Sequence, residues 1–250
     1  MTAVQALALL GTGIAGGLAS TVASIASVLS YPALLALGLP PLSANVTNTM
    51  SLVWTAAGSV AGSRPELSGQ RGRALRLALI TAAGGVAGAG ALLLAPASAF
   101  GFVVPILIAA ASLLLLLQPM LRALSPRPGG EWPMRRLAGV FASAMYIGYF
   151  GAAGGVVLLA ILSTMFSESL IRINALKNVL SGAANAVAAI AFALFAPVDW
   201  AVVPLLAGGF LAGGMIGPRL ARKLPVKVLR LLVSLCGLAL AIKLGVNAYR

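Results

Sequence analysis

The chain contains no histidine. That absence excludes histidine-based catalytic triads, histidine-ligated zinc and histidine proton relays. Carboxylates are nearly as scarce: Asp and Glu number 4, at Glu66, Glu131, Glu168 and Asp199. All of them fall in or beside predicted loops, so no pair of acids inside an apolar run is available for acid–base chemistry or cation coordination. The single cysteine, Cys236, has no partner for an internal disulfide and is too few for a Cys-rich metal site. Inside an apolar run it reads as a small packing residue. No catalysis, cofactor or metal is therefore expected.

Charge as a whole is rare. Charged residues make up 8% of the chain and hydrophobic ones 60%, with a mean hydropathy of +1.05, whereas soluble domains carry about 25% charged residues. Uncharged runs long enough to cross a bilayer, about 18 residues or more, recur along the whole length. These features describe an integral membrane protein. The start, MTAVQALALLGTG, has no basic residue before its apolar run and merges into a long segment, so a cleaved signal peptide is not expected. The 17 Lys and Arg against 4 acids give a formal charge of +13. Because the basic residues sit in short loops between apolar runs, they read as orientation signals and not as a nucleic-acid surface. The expected partners are membrane lipid and a small solute, with no nucleic acid. Subunit number stays open, a homodimer included.

What is present is a succession of apolar runs with one long polar interruption. Residues 3–38 and 137–167 are long and broken by small or polar residues, while 44–62, 77–95, 101–121, 174–195, 199–218 and 231–248 read as simple spans. The stretch PRPGGEWP, with Arg122, Arg127, Arg135 and Arg136 around it, reads as a midpoint linker. It divides the chain into a membrane unit at 1–125, a cytoplasmic linker at 126–136 and a second membrane unit at 137–250. Placing the basic loops at 64–76, 122–136 and 219–230 inside leaves Lys243 and Arg250 as the only basic residues outside. The run 137–167 must then enter and return on the inside as a re-entrant hairpin, and 3–38 does the same from the outside. Six full crossings complete this topology.

The two units overlay at an offset of about 130 residues. Asn48, Ser51 and Thr55 then fall on Asn178, Ser181 and Asn185, each set spaced i, i+3, i+7 along one helical face. Gly84 falls on Gly214, among small residues that allow close helix packing. Loop charge is exchanged between the units, as expected of an inverted-topology repeat. The expected fold is therefore an all-α membrane protein of two inverted-topology repeats, each a broken or re-entrant helical hairpin plus three transmembrane helices.

The run from Tyr146 to Asn185 carries the chemistry. A glycine break inside an apolar segment frees backbone N–H and C=O groups, tolerated only where protein or a water-filled cavity surrounds it. Gly154 and Gly155 at this break, with Ser24 and Ser27 in the opposed hairpin, are candidates to expose N–H groups to an anion; close packing is the other use of such glycines. Asn48 and Asn178, each in the first turn of a predicted helix, offer amide donors or helix caps. Ser51, Ser181 and Asn185 continue the same stripe. Tyr146 and Tyr149 flank the break and offer hydroxyls to the anion or serve as packing aromatics. The role of Lys177 turns on depth: near mid-membrane it draws in substrate, and near the surface it is an anchor.

YPALLALGLPPLSANVTNT in the first half, GYFGAAGGVVLLAIL and Ala175 to Asn178 (ALKN) in the second, and the two-half layout resemble the sulfite exporter TauE/SafE family of membrane permeases. Where that family usually has glycines ahead of the proline of its first hairpin, this chain has Ser24 to Ser27 (SIAS) before Pro32. The resemblance implies a secondary transporter, permease or exporter, for sulfite, sulfonates or other small organosulfur anions in the cytoplasmic membrane. Residues alone imply only an anion. The other readings are transport of another solute, such as a metal complex or thiol compound, and a non-transporting membrane partner protein. With no carboxylate or histidine inside the apolar runs, the coupling ion stays open; one route for a proton is on the substrate itself, as a neutralised weak acid.

Overall fold

The structure is a computed structural model, and it describes residues 2–123, 134–221, 231, 234, 235, 238, 239 and 241–246. The first break interrupts what would otherwise be one apolar helix: α1 (Ala3–Ala23) ends at Ser24, and α2 (Ala26–Ala36) restarts two residues on. Next come α3 (Pro41–Gly62), a single turn α4 (Arg64–Leu67), α5 (Arg71–Leu94) and α6 (Ala97–Ala123). The second break separates α7 (Met134–Tyr149) from α8 (Gly154–Met165), and α9 (Leu170–Phe195) and α10 (Val203–Ala221) follow. Much of the linker expected at 126–136, the basic residues from Arg222 to Arg230, Cys236 and parts of the run 231–248 lie outside the described residues.

Helices α1, α5, α9 and α10 are long and apolar enough to cross a membrane. Helix α3 has comparable length, 22 residues, but Asn45, Thr47, Asn48, Thr49, Ser51, Thr55 and Ser59 on it are all buried. Its polar side chains point into the protein while Trp54 is 48% exposed, the arrangement expected where lipid surrounds the molecule. The run expected as a hairpin at 3–38 divides unequally. Its first arm, α1, has 21 residues, about 31 Å of helix at 1.5 Å per residue, and is long enough to span without α2.

Helix starts differ from those expected. α3 begins at Pro41, where proline costs no intrahelical hydrogen bond, and α9 begins at Leu170. Asn48 and Asn178 therefore sit about two turns inside their helices and cap neither.

The helices pack crosswise between the two parts of the chain. α10 lies against α1 and α3, and α5 lies against α7 and α9. Glycines let the backbones approach: a Cβ on Gly85 would come within 2.5 Å of Ala184 O, and one on Gly214 within 2.5 Å of Thr55 O. The increment that carries Gly85 to Gly214 also carries Thr55 to Ala184, so one contact occurs twice with its partners exchanged. Gly84 against Phe141 O and Met145 N, and Gly213 against Ile14 O and Leu18 N, form a second such pair. A polar contact recurs in similar fashion, one residue out of step on the broken-helix side. Asn45 Nδ2 donates to Tyr149 O at 3.0 Å, and Asn174 Nδ2 to Thr21 O at 2.7 Å, each satisfying a carbonyl at the end of a broken helix's first arm.

The increment between Gly85 and Gly214 differs by one residue from the overlay read from the sequence: it carries Asn48 to Lys177 where the overlay pairs Asn48 with Asn178, Ser51 and Thr55 to Leu180 and Ala184, and Gly85 to Gly214 where the overlay pairs Gly84 with Gly214.

Candidate functional site

At the first break the backbone of Ser24 turns left-handed, with φ 63° and ψ 37°. At the second, Gly151 (φ 75°) and Ala153 (φ 55°) do the same. The increment that carries Ile14 to Phe141 carries Ser24 to Gly151, so the two breaks occupy corresponding points. They meet inside the molecule: a Cβ on Gly155 would lie 2.9 Å from Ser24 Oγ and 3.2 Å from Lys177 Cδ. Tyr31 and Phe150 pack edge to face beside them, ring centres 5.4 Å apart.

Between the breaks and the inner faces of α3 and α9 lies a cavity of about 50 Å³. One water needs roughly 10–15 Å³, so the space takes an ion of only a few heavy atoms. Ser20, Ser24, Ser27, Thr55, Ser59, Lys177, Asn178, Ser181 and Asn185 supply its polar lining. Among the described residues that lining contains one cation, Lys177, and no acid.

Lys177 is only 2% exposed, so it does not reach the surface as an anchor would. Its Nζ donates to Ser24 Oγ at 2.6 Å and to Ser20 O at 3.3 Å. Asn178 Nδ2 donates to Ser59 Oγ at 2.8 Å. Thr55 Oγ1, Ser181 Oγ and Asn185 Oδ1 are buried without a hydrogen-bond partner among the described residues, a costly state unless a bound ion or water completes them. The first turns of α2 and α8, at Ala26, Ser27 and Gly155, border the same space. Helix N-termini carry partial positive charge, and both of these border the cavity.

Seven of the residues expected at the site, Ser24, Ser27, Gly155, Lys177, Asn178, Ser181 and Asn185, do line this cavity. Five do not. Asn48 stands behind it, with Nδ2 donating to Ser27 Oγ at 3.1 Å and Oδ1 accepting from Ser30 Oγ at 2.6 Å. The Ser51 hydroxyl bonds back to Thr47 O within α3 at 2.9 Å. The Tyr146 hydroxyl is occupied by Ala152 O at 2.9 Å, bracing the second break from within. Tyr149 packs against the apolar core and gives its carbonyl to Asn45. Gly154 faces Ile147 and Tyr146, where a Cβ would sit 2.7 Å from Ile147 Cγ1; its use is packing. Ser20 and Ser59 join the lining without having been singled out by the sequence, although each lies one helical turn from a residue that was, Ser24 and Thr55.

Residues 9–244 match the family described as "Sulfite exporter TauE/SafE". The chain is also 27% identical over 233 residues to the "Probable membrane transporter protein ORF9" of Sinorhizobium sp, covering 91% of this chain and 87% of that one. No solved structure matches.

Proposed function

The chain belongs to the sulfite exporter TauE/SafE family and is a multi-pass membrane transporter, and we propose that its cargo is a small oxyanion, sulfite the leading case, bound in the cavity between the two breaks. The observation that carries this is the lining: a buried lysine, serine, threonine and asparagine groups, two helix N-termini and, among the described residues, no acid. Such a surface stabilises negative charge and offers a cation no ligand set. Cavity size favours a compact ion over longer sulfonates, which need the site to open. A metal ion as cargo lacks support, since no group of three or more His, Cys, Asp or Glu side chains assembles among the described residues.

In this reading the two parts of the chain are inverted-topology repeats in the cytoplasmic membrane. The exchanged contacts of Gly85 with Gly214 and of Asn45 with Asn174 support it. Rocking of one repeat on the other would expose the cavity to either side in turn. The family is one of transporters, and no enzyme activity is proposed.

Flux of radiolabelled sulfite, then of longer sulfonates, into proteoliposomes tests the cargo. Saturable sulfite flux that Lys177→Ala reduces is the expected result. No flux of any oxyanion by folded protein would overturn the reading. Orientation is tested in a Cys236→Ser background: a cysteine at position 99 should label from outside and one at 129 only after permeabilisation.

A further inference from the structure

We propose that the Ser24 hydroxyl is the group that meets the anion at the first break and selects for oxyanions, with Lys177 acting through it as a positioning residue; this rests on the anion-transport reading above. Among the described residues only Ser24 and Ala153 take a left-handed conformation without being glycine, a conformation that costs an L-residue steric strain. At the corresponding point of the second break stands Gly151, which adopts φ 75° freely. The turn alone would be made more easily by glycine at position 24. A serine held there against its preference points to a use for its side chain.

Chemistry fixes which way that side chain works. An ammonium group donates and never accepts, so the 2.6 Å contact makes Ser24 Oγ the acceptor from Lys177 Nζ. The Ser24 proton must then point away from Nζ. Among the described residues no acceptor takes it, and Ser24 borders the cavity. A hydroxyl whose oxygen already accepts from a cation is polarised into a stronger donor. Across from it Gly155 has no side chain, and any Cβ there would fall 2.9 Å from Ser24 Oγ; the glycine keeps the space in front of the hydroxyl open. The charge of Lys177 thus arrives at the anion through a directional O–H. An oxyanion presents an oxygen to that O–H in a defined geometry, whereas a halide gains only the charge.

The test compares wild type, Ser24→Gly and Ser24→Ala in reconstituted sulfite flux with chloride as competitor, together with thermal unfolding of the purified full chain with and without sulfite. Both variants should raise KM for sulfite about tenfold or more, the scale of a lost hydrogen bond to an ion. Chloride, a poor competitor in wild type, should inhibit both, because Nζ then faces the cavity directly. Ser24→Gly should unfold at or above the wild-type temperature and Ser24→Ala below Ser24→Gly, with the sulfite-induced rise in Tm lost in both. Wild-type flux with unchanged KM and chloride resistance in Ser24→Gly would overturn the role of Ser24 and leave anion transport standing. A Ser24→Gly protein less stable than wild type would also overturn it, by showing that the serine serves the fold. No sulfite flux or binding by folded wild type would overturn the transport reading, and this inference with it.

Discussion

Lys177 Nζ and Ser24 Oγ are 2.6 Å apart, joining the second turn of α9 to the point where the first broken helix turns. Lys177 is the only basic side chain among the described residues that is buried, and Ser24 is one of two non-glycine residues held left-handed. The break brings a hydroxyl to the ammonium, and the ammonium, coming from the other part of the chain, fixes which way that hydroxyl turns.

Charge and hydrogen bonding at Lys177 are separable. Lys177→Gln keeps an N–H donor for Ser24 without the cation, and Lys177→Met keeps only the shape. Both should fold, since a linear side chain of similar volume fills the site. Sulfite kcat/KM should fall in the order wild type, Gln, Met, with the Met variant down by about tenfold or more for loss of a charged hydrogen bond. Equal activity in all three proteins would remove Lys177 from the path.

Glycine contacts make a paired prediction about stability. Gly85→Ala would place a Cβ 2.5 Å from Ala184 O, and Gly214→Ala one 2.5 Å from Thr55 O. Each should cost about 1–3 kcal/mol by overpacking, and the two costs should agree because the contact is the same with its partners exchanged. Gly11 and Gly90 have nothing within 4 Å of the place a Cβ would take, so alanine at either should be neutral or stabilise by roughly 0.5–1 kcal/mol through lower chain entropy. Unfolding temperatures in one detergent check all four.

The contact between the α8–α9 connection and α5 should respond to acid. Glu168 accepts from Arg73 and, at 3.4 Å, from Arg172 Nε, while Arg172 Nη2 donates to Ser68 O at 2.7 Å. Arg73 also lies 4.9 Å from the centre of the Phe166 ring. Burial opposes ionisation of Glu168, but hydrogen bonds and charge from Arg73 and then Arg172 outweigh it and hold the carboxyl below its usual range. A carboxyl lowered in the folded state adds stability above its unfolded pKa of about 4 and loses it as pH falls through the folded value. Stability should therefore drop below about pH 4. Glu168→Gln should flatten that limb and, at pH 7, cost about 1 kcal/mol or less, because the pair is partly exposed. An unchanged acid limb in the variant would show that this pair carries none of it.

Both breaks are legible in the sequence, because the apolar runs 3–38 and 137–167 are longer than one crossing needs and carry glycine, serine or proline in their middle. Most of the lining is legible too, since Asn178, Ser181 and Asn185 repeat at helical spacing. The register is not. Lys177 and Asn178 are neighbours, and matching like with like aligns Asn48 to Asn178, whereas the close approach of Gly85 to Ala184 aligns it to Lys177. Tyr146 differs from its expected role for a related reason: a broken helix leaves carbonyls without partners, and the Ala152 carbonyl takes the hydroxyl offered to an anion. Such pairings depend on tertiary approach, which spacing along one helix does not encode.

Thr55 Oγ1 and Ser181 Oγ border the cavity without a hydrogen-bond partner among the described residues, and this allows function and stability to be set against each other. A buried hydroxyl left unsatisfied costs about 1–3 kcal/mol, and replacing it by an apolar group of the same shape is nearly neutral or stabilising. Thr55→Val and Ser181→Ala should therefore unfold at or above the wild-type temperature without ligand. If the hydroxyls exist to contact the anion, the same variants should raise KM for sulfite and lose part of the sulfite-induced rise in Tm. The opposite pairing, lower stability with unchanged KM, would mean that the hydroxyls hold the helices together and that the anion is bound elsewhere. Combining Thr55→Val with Ser24→Gly sharpens the comparison: residues touching one ion should show non-additive changes in binding, whereas independent structural roles should simply add.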